Sequence, residues 1–176
     1  MSRSLVIGFG NIDRADDGVA YHIVNALRNR LGKEGLGEGD TGLEGLGEQT
    51  DTVFLAQLVP ELIELLADYG RIIFVDAHVD QSLGDLHCGR VRPESASPVF
   101  SHHMTPAMLL ALTSALHGRE PAGYLVSVRG GCFDFHQGLS PGCEALVEPA
   151  VCNILELLNI SAKSAKFPKR GNRRVP

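Results

Sequence analysis

The sequence predicts a three-layer α/β/α sandwich around a mixed, mostly parallel five-stranded sheet. Three observations point to it. Short apolar runs alternate along the chain with stretches in which apolar residues recur at helical spacing. The run Ile72-Ile73-Phe74-Val75 is continuously apolar, as a central strand covered on both faces must be. A length of 176 residues with 44% hydrophobic content is enough for one sizeable core, so residues 1–158 are expected to form a single domain.

Leu5–Gly8 reads as the first strand, and Gly18–Leu31 as the first helix, with Val19, Ile23, Ala26 and Leu27 on one stripe. From 32 to 50 the pattern breaks. Gly alternates there with Glu, Asp and Leu (Gly35-Leu36-Gly37-Glu38-Gly39-Asp40), which neither holds a helix nor buries much, so this stretch is expected to be a mobile loop. Thr52–Gln57 is the second strand. Pro60 precedes a second helix at Glu61–Tyr69, stopped by Gly70, and Arg71–Asp76 is the third strand. The link Ala77–Gly84 is too short for a parallel crossover, so the fourth strand, Asp85–Val91, is expected to be antiparallel. A loop, Arg92–Met104, leads to a third helix that Thr105 caps and Pro106 opens ahead of Ala107–Leu116. Gly123–Val128 is the fifth strand. Ser140-Pro141 opens a last helix over about 142–158, which Pro149 should kink by removing one internal hydrogen bond.

The formal net charge is −5, unevenly spread. Residues 159–176 carry six basic and no acidic side chains, leaving ten basic against 21 acidic in the body. With only Phe167 as an aromatic among them, this tail reads as solvated and disordered rather than as a nucleic-acid surface. No apolar run approaches the roughly 20 residues that span a bilayer, and Met1-Ser2-Arg3-Ser4 leads straight into a strand, so a cytoplasmic protein without membrane contact is expected. Cys88, Cys132, Cys143 and Cys152 lack paired spacing and are expected to be buried free thiols.

The chemistry is expected where the first strand meets Gly8-Phe9-Gly10-Asn11-Ile12-Asp13-Arg14-Ala15-Asp16-Asp17-Gly18. Glycines 8 and 10 permit a sharp turn, but a dinucleotide fingerprint needs a further glycine where Asp13 stands, and three carboxylates repel phosphate. A cation site fits better. Open sheets of this class place sites at the carboxyl ends of strands. There Asp17 follows the first strand, Asp76 ends the third, and His103 sits before the third helix. Two carboxylates and an imidazole suit a borderline divalent cation such as nickel, zinc or cadmium, with coordination positions left open. Asp16 is expected to cap the first helix, so that Asp16→Asn is mild while Asp17→Ala and Asp76→Ala abolish function. His78, His87 and His136 are further histidines of either surface or ligand character, and spacing alone leaves His102 as an alternative to His103.

Four segments in this order resemble the endopeptidases that mature nickel-iron hydrogenases: Gly8-Phe9-Gly10-Asn11 with Asp16-Asp17-Gly18, Phe74-Val75-Asp76-Ala77, Ser101-His102-His103-Met104-Thr105-Pro106, and Gly138-Leu139-Ser140-Pro141. The resemblance covers most of the chain and implies a phosphorylase/hydrolase-like sandwich. It also implies a reaction: removal of the C-terminal extension of a hydrogenase large-subunit precursor once nickel has been inserted. The family's metal-contacting groups fall on Asp17, Asp76 and His103, which are then also the expected catalytic residues. The nickel would be supplied by the precursor, with zinc or cadmium able to substitute. After the second strand, where many members have a glycine-rich substrate loop, this chain has Ala56-Gln57-Leu58-Val59-Pro60-Glu61.

Other classes are weighed against this one. No Gly-x-Ser-x-Gly elbow and no His-Glu-x-x-His helix occurs, which argues against serine peptidases and zincins. A metal-dependent hydrolase of small substrates would act without a protein partner. A non-catalytic nickel-binding maturation chaperone would leave the extension intact.

Overall fold

The computed structural model describes residues 2–94 and 103–159. Strands β1 (Ser4–Phe9), β2 (Thr50–Leu55), β3 (Arg71–His78), β4 (Leu86–Val91) and β5 (Ala122–Arg129) form one sheet in the order β2-β1-β3-β5-β4. All neighbours are parallel except β4, which runs antiparallel to β5, as the short link before it requires. Helices are α1 (Val19–Arg30), α2 (Leu62–Leu66), α3 (Pro106–His117), α4 (Pro141–Glu144) and α5 (Val147–Asn159).

Alternation along the strands sorts the core into two layers. Val6, Ile73, Val75, Val126 and Val128 face α1 and α5, where Ile23, Leu27, Val151 and Ile154 are fully buried. Leu5, Ile7, Ile72 and Phe74 face α2 and α3 through Leu62, Leu66, Leu109 and Leu110. The three-layer α/β/α sandwich is therefore present. Helix α1 crosses β1 closely: a Cβ at Gly8 would stand 2.7 Å from Val24 Cγ2 and 3.1 Å from the Ala20 carbonyl oxygen.

Several boundaries differ from expectation. β2 begins and ends two residues earlier than its apolar run, because Asp51 enters the strand as a buried group. It accepts hydrogen bonds from Arg3 (2.7 Å), Tyr69 Oη (2.7 Å) and the N–H groups of Gly47 and Glu48 (3.1 Å each). α2 is five residues long instead of nine. The last helix is split instead of kinked. A Pro149 ring clashes with a helical carbonyl four residues back, at Ala145, and the chain breaks there, leaving Pro149 in the first turn of α5. The cysteines are free, but only Cys143 is buried and Cys152 is exposed.

Residues 32–49 are irregular apart from a 3-10 turn at Leu43–Gly45, residue 50 already belonging to β2, and the segment is anchored. Leu36 is buried, its N–H donating to Asn25 Oδ1 (2.7 Å) and its carbonyl accepting from Tyr21 Oη (2.7 Å). Thr41 accepts the N–H of Phe54 at 3.0 Å, so the segment covers part of the outer edge of β2. No described helix is long and apolar enough to cross a membrane. The tail residues 160–176 and His102 lie outside the described residues.

Candidate active site

Asp17, Asp76 and His103 line one cleft of about 550 Å³ at the carboxyl ends of the parallel strands, with Leu58, Val59 and Met104 among its other walls. Each side chain is placed by a different element. Asp17 sits in the turn Ala15–Gly18 between β1 and α1. Gly10, at φ 144°, lets β1 pass so close under this turn that a Cβ there would lie 2.1 Å from the Asp17 carbonyl oxygen. The Asp17 carboxylate accepts the N–H of Asn11 at 3.0 Å. His103 stands just before α3, whose start Thr105 fixes by accepting the N–H of Met108 at 3.2 Å.

Asp76 does not end its strand. β3 runs on to His78, and Asp76 lies opposite Ser127 of β5. Its Oδ1 accepts the N–H of Ala77 at 2.7 Å. Burial pushes this carboxyl up to about 7; the Ala77 hydrogen bond opposes the rise and the nearby Asp17 charge adds to it. Near neutral pH the group is thus divided between its neutral and ionised forms, and a cation in the cleft draws it to the ionised one. Among the described residues, no three His, Cys, Asp or Glu side chains approach closely enough to hold a metal ion by themselves. The donors share a cleft without closing a shell.

His78 is committed elsewhere. Its Nε2 lies 2.9 Å from the Gly84 carbonyl, which only accepts, so Nε2–H donates there, and its Nδ1 is hydrogen-bonded to Ser127 Oγ at 2.8 Å. Neither His87 nor His136 lines the cleft.

Over 172 aligned positions, 31% of residues are identical to the hydrogenase 2 maturation protease of Escherichia coli (strain K12), covering 93% of this chain and 94% of that protein. The chain belongs to the hydrogenase maturation protease family. No protein-family profile matches it. The fold of this maturation protease superimposes on the hydrogenase maturating endopeptidase HybD from E. coli with a TM-score of 0.68 at 27% identity, over 91% of this chain and 94% of that one. The [NiFe] hydrogenase maturation protease HybD from Thermococcus kodakarensis shares the fold at 18% identity and a TM-score of 0.60, over 89% of this chain and 99% of that one. The chain is accordingly a peptidase, with the α/β fold of its relatives.

One expectation for this protease is overturned. Asp16 does not cap α1, whose start has no side-chain cap at all. Its carboxylate is fully buried and points to the loop after β5, where Oδ2 accepts from Gly131 N (2.8 Å), Cys132 N (3.0 Å) and Ser140 Oγ (2.7 Å), and Oδ1 accepts from Ser140 N (2.7 Å). Burial opposes its ionisation, but these four donors outweigh burial and hold the carboxyl below the ordinary range. The backbone is tied as well. Ala15, in the left-handed region at φ 47°, donates to His136 O (2.8 Å), and Asp16 donates to Cys132 O (3.0 Å). Asp17 thus projects from a turn clamped to the far end of the chain. Ser140 and the Gly130-Gly131 pair build that clamp. In sequence, Gly138-Leu139-Ser140-Pro141 is a segment of the family resemblance, Ser140-Pro141 a helix start and Gly130-Gly131 the approach to a turn, and none of these points to Asp16.

Proposed function

We propose that this protease removes the C-terminal extension of a nickel-iron hydrogenase large-subunit precursor after nickel insertion, and that Asp17, Asp76 and His103 read the inserted nickel. The observation that carries the reading is the shared cleft: two carboxylates and an imidazole from three separate segments line it, yet they do not converge on a point of their own. Such a set suits an ion that arrives with ligands. Nickel held by precursor thiolates would find the missing oxygen and nitrogen donors here, and an empty precursor would not.

The same residues are the ones proposed to act in cleavage. Asp17, Asp76 and His103 would hold the nickel that the precursor carries, which would supply the usual Lewis-acid polarisation of a carbonyl or water. Asp76, ionised when a cation is bound, would accept a proton beside it. The proposed partner is the precursor alone, within a single peptidase domain of residues 1–158.

The test is direct. The protein is incubated with nickel-loaded and nickel-free precursor, and product mass is followed. Cleavage of the loaded form alone is expected. Equal cleavage of both sinks nickel reading, and binding without cleavage returns the chaperone reading.

A further inference from the structure

Among the described residues Phe135 is the most exposed large apolar side chain, at 85%. Its exposure is not slack. The His136 N–H donates to the Asp134 carbonyl at 2.9 Å, closing a three-residue turn that puts Phe135 at its tip. That turn is pinned on both sides: the His136 carbonyl takes the N–H of Ala15 (2.8 Å), and Gln137 Nε2 donates to Asp13 Oδ1 (2.9 Å). Two residues earlier Phe133 does the opposite, its ring lying so close over Gly130 that a Cβ there would stand 2.4 Å from Cζ. One phenylalanine packs the loop and the next is held out by it. Arg14 flanks the exposed ring, with its guanidinium 5.6 Å from the centroid and its Nη2 donating to the Phe133 carbonyl at 3.4 Å.

This patch adjoins the cleft. The Asp17 N–H donates to the Arg14 carbonyl at 3.0 Å, so the exposed ring and the cleft carboxylate flank one and the same turn. Val79, 71% exposed, follows β3 at the same end of the sheet, where the Gly130 N–H donates to the His78 carbonyl at 2.9 Å and sets the loops after β3 and β5 side by side. A rigidly held aromatic beside an arginine is the composition of an interface hot spot. A second copy of the chain seated here would stand over the Asp17 turn and crowd the mouth of the cleft. What covers the patch is therefore what the cleft itself takes.

We propose that Phe135 and Arg14 form a docking site for the folded body of the large-subunit precursor, apart from the peptide that is cut. The partner surface is an apolar socket for the ring with a carbonyl or carboxylate at its rim for the Arg14 guanidinium. The proposal rests on the processing reading above. Because the patch and Asp17 share a turn, a precursor docked on Phe135 presents its nickel to the cleft already oriented. The contact contributes to binding and leaves the chemical step to the cleft.

Phe135→Ala removes an exposed ring and should keep the unfolding midpoint of the parent. On nickel-loaded, full-length precursor it should lower kcat/KM by about tenfold or more, roughly 1.4 kcal/mol, with the loss carried by KM. Phe135→Tyr keeps the ring and should retain the parent KM. The chain contains no tryptophan, so Phe135→Trp labelled with 5-fluorotryptophan gives a single fluorine resonance at the patch. Nickel-loaded precursor should shift that resonance, and a synthetic peptide spanning only the cut and the extension should not. A Phe135→Ala protein with the parent KM, a resonance that the precursor leaves in place, or a full shift by the peptide alone overturns the docking site. So does a dimer of the parent that Phe135→Ala dissociates in sedimentation. A precursor that shifts the resonance but is cut by no form of the protein overturns the processing reading alone.

Discussion

Ser140 hydrogen-bonds both oxygens of the buried Asp16 carboxylate, its N–H to Oδ1 and its hydroxyl to Oδ2, each at 2.7 Å, across 124 residues of chain. The bond joins the turn that carries Asp17 to the start of α4, so the geometry of the cleft depends on a contact outside it. Because the same hydroxyl also accepts the Cys143 N–H at 3.4 Å, one residue both starts a helix and fixes the turn.

The first prediction separates the two adjacent carboxylates. In Asp16→Asn the amide nitrogen turns toward the single donor Ser140 N, leaving the oxygen for the three donors on the other side. Stability should fall by about 1–3 kcal/mol. Asp16→Ala abandons all four donors and should cost more than about 3 kcal/mol, and Ser140→Ala about 1–2 kcal/mol. Urea unfolding measures all three. An Asp16→Asn protein as stable as the parent would contradict this assignment of the carboxylate to the clamp.

Acid should act through the same residue. The folded-state pKa of Asp16 is lowered from 3.8, so its contribution to stability is fully present above about pH 4 and is lost as pH falls through the folded value. Asp76 has the opposite sign. Its folded pKa, raised to about 7, means that the unfolded chain binds fewer protons between pH 4 and 7, and stability declines as pH rises through that window. Asp76→Asn should flatten this decline and exceed the parent in stability above pH 7. Thermal unfolding across pH 3 to 9 reads both slopes.

The five strands, the antiparallel fourth among them, and the three-layer sandwich were legible because apolar runs, helical spacing and link length report burial and connection directly, whereas the order of strands across the sheet was not read. Asp16 was misplaced and Asp51 left outside the second strand because a buried carboxylate satisfied by four donors looks, in sequence, like any surface acid. Asp17, Asp76 and His103 were singled out by expected places at strand ends and a helix start, and all three line one cleft, although β3 runs two residues past Asp76. The Asp16 clamp was not, since its partners lie more than a hundred residues away. The Pro149 reading erred by register: spacing placed it within a helix, whereas the break at Ala145 makes it an early residue of α5.

That break gives a second stability test. Pro149→Ala leaves the first turn of α5 with an N–H that has no helical partner, so the change should stay within about 1 kcal/mol, well short of the roughly 3 kcal/mol of a mid-helix proline effect. A gain near 3 kcal/mol would show that the proline strains a continuous helix.

Asp17→Ala, Asp76→Ala and His103→Ala should leave unfolding transitions cooperative while reducing processing of nickel-loaded precursor by more than the roughly 10–100-fold that loss of an outer-shell partner costs. Product mass over time measures the rate. Retained processing in any one of them removes that residue from the proposed set.

Gly10→Ala tests whether position, as opposed to the mere presence of donors, makes the cleft work. No ligand is altered, but the added methyl would stand 2.1 Å from the Asp17 carbonyl, at a φ of 144° that alanine rarely adopts. The turn must move, and Asp17 with it, while the Asp16 clamp holds the other side of the same turn. Processing should therefore fall about as far as in Asp17→Ala, with kcat affected along with KM. Combining the two substitutions should add little further loss, because both remove the same contact. Full additivity of the two effects on kcat/KM would mean that Gly10 acts through some element other than Asp17.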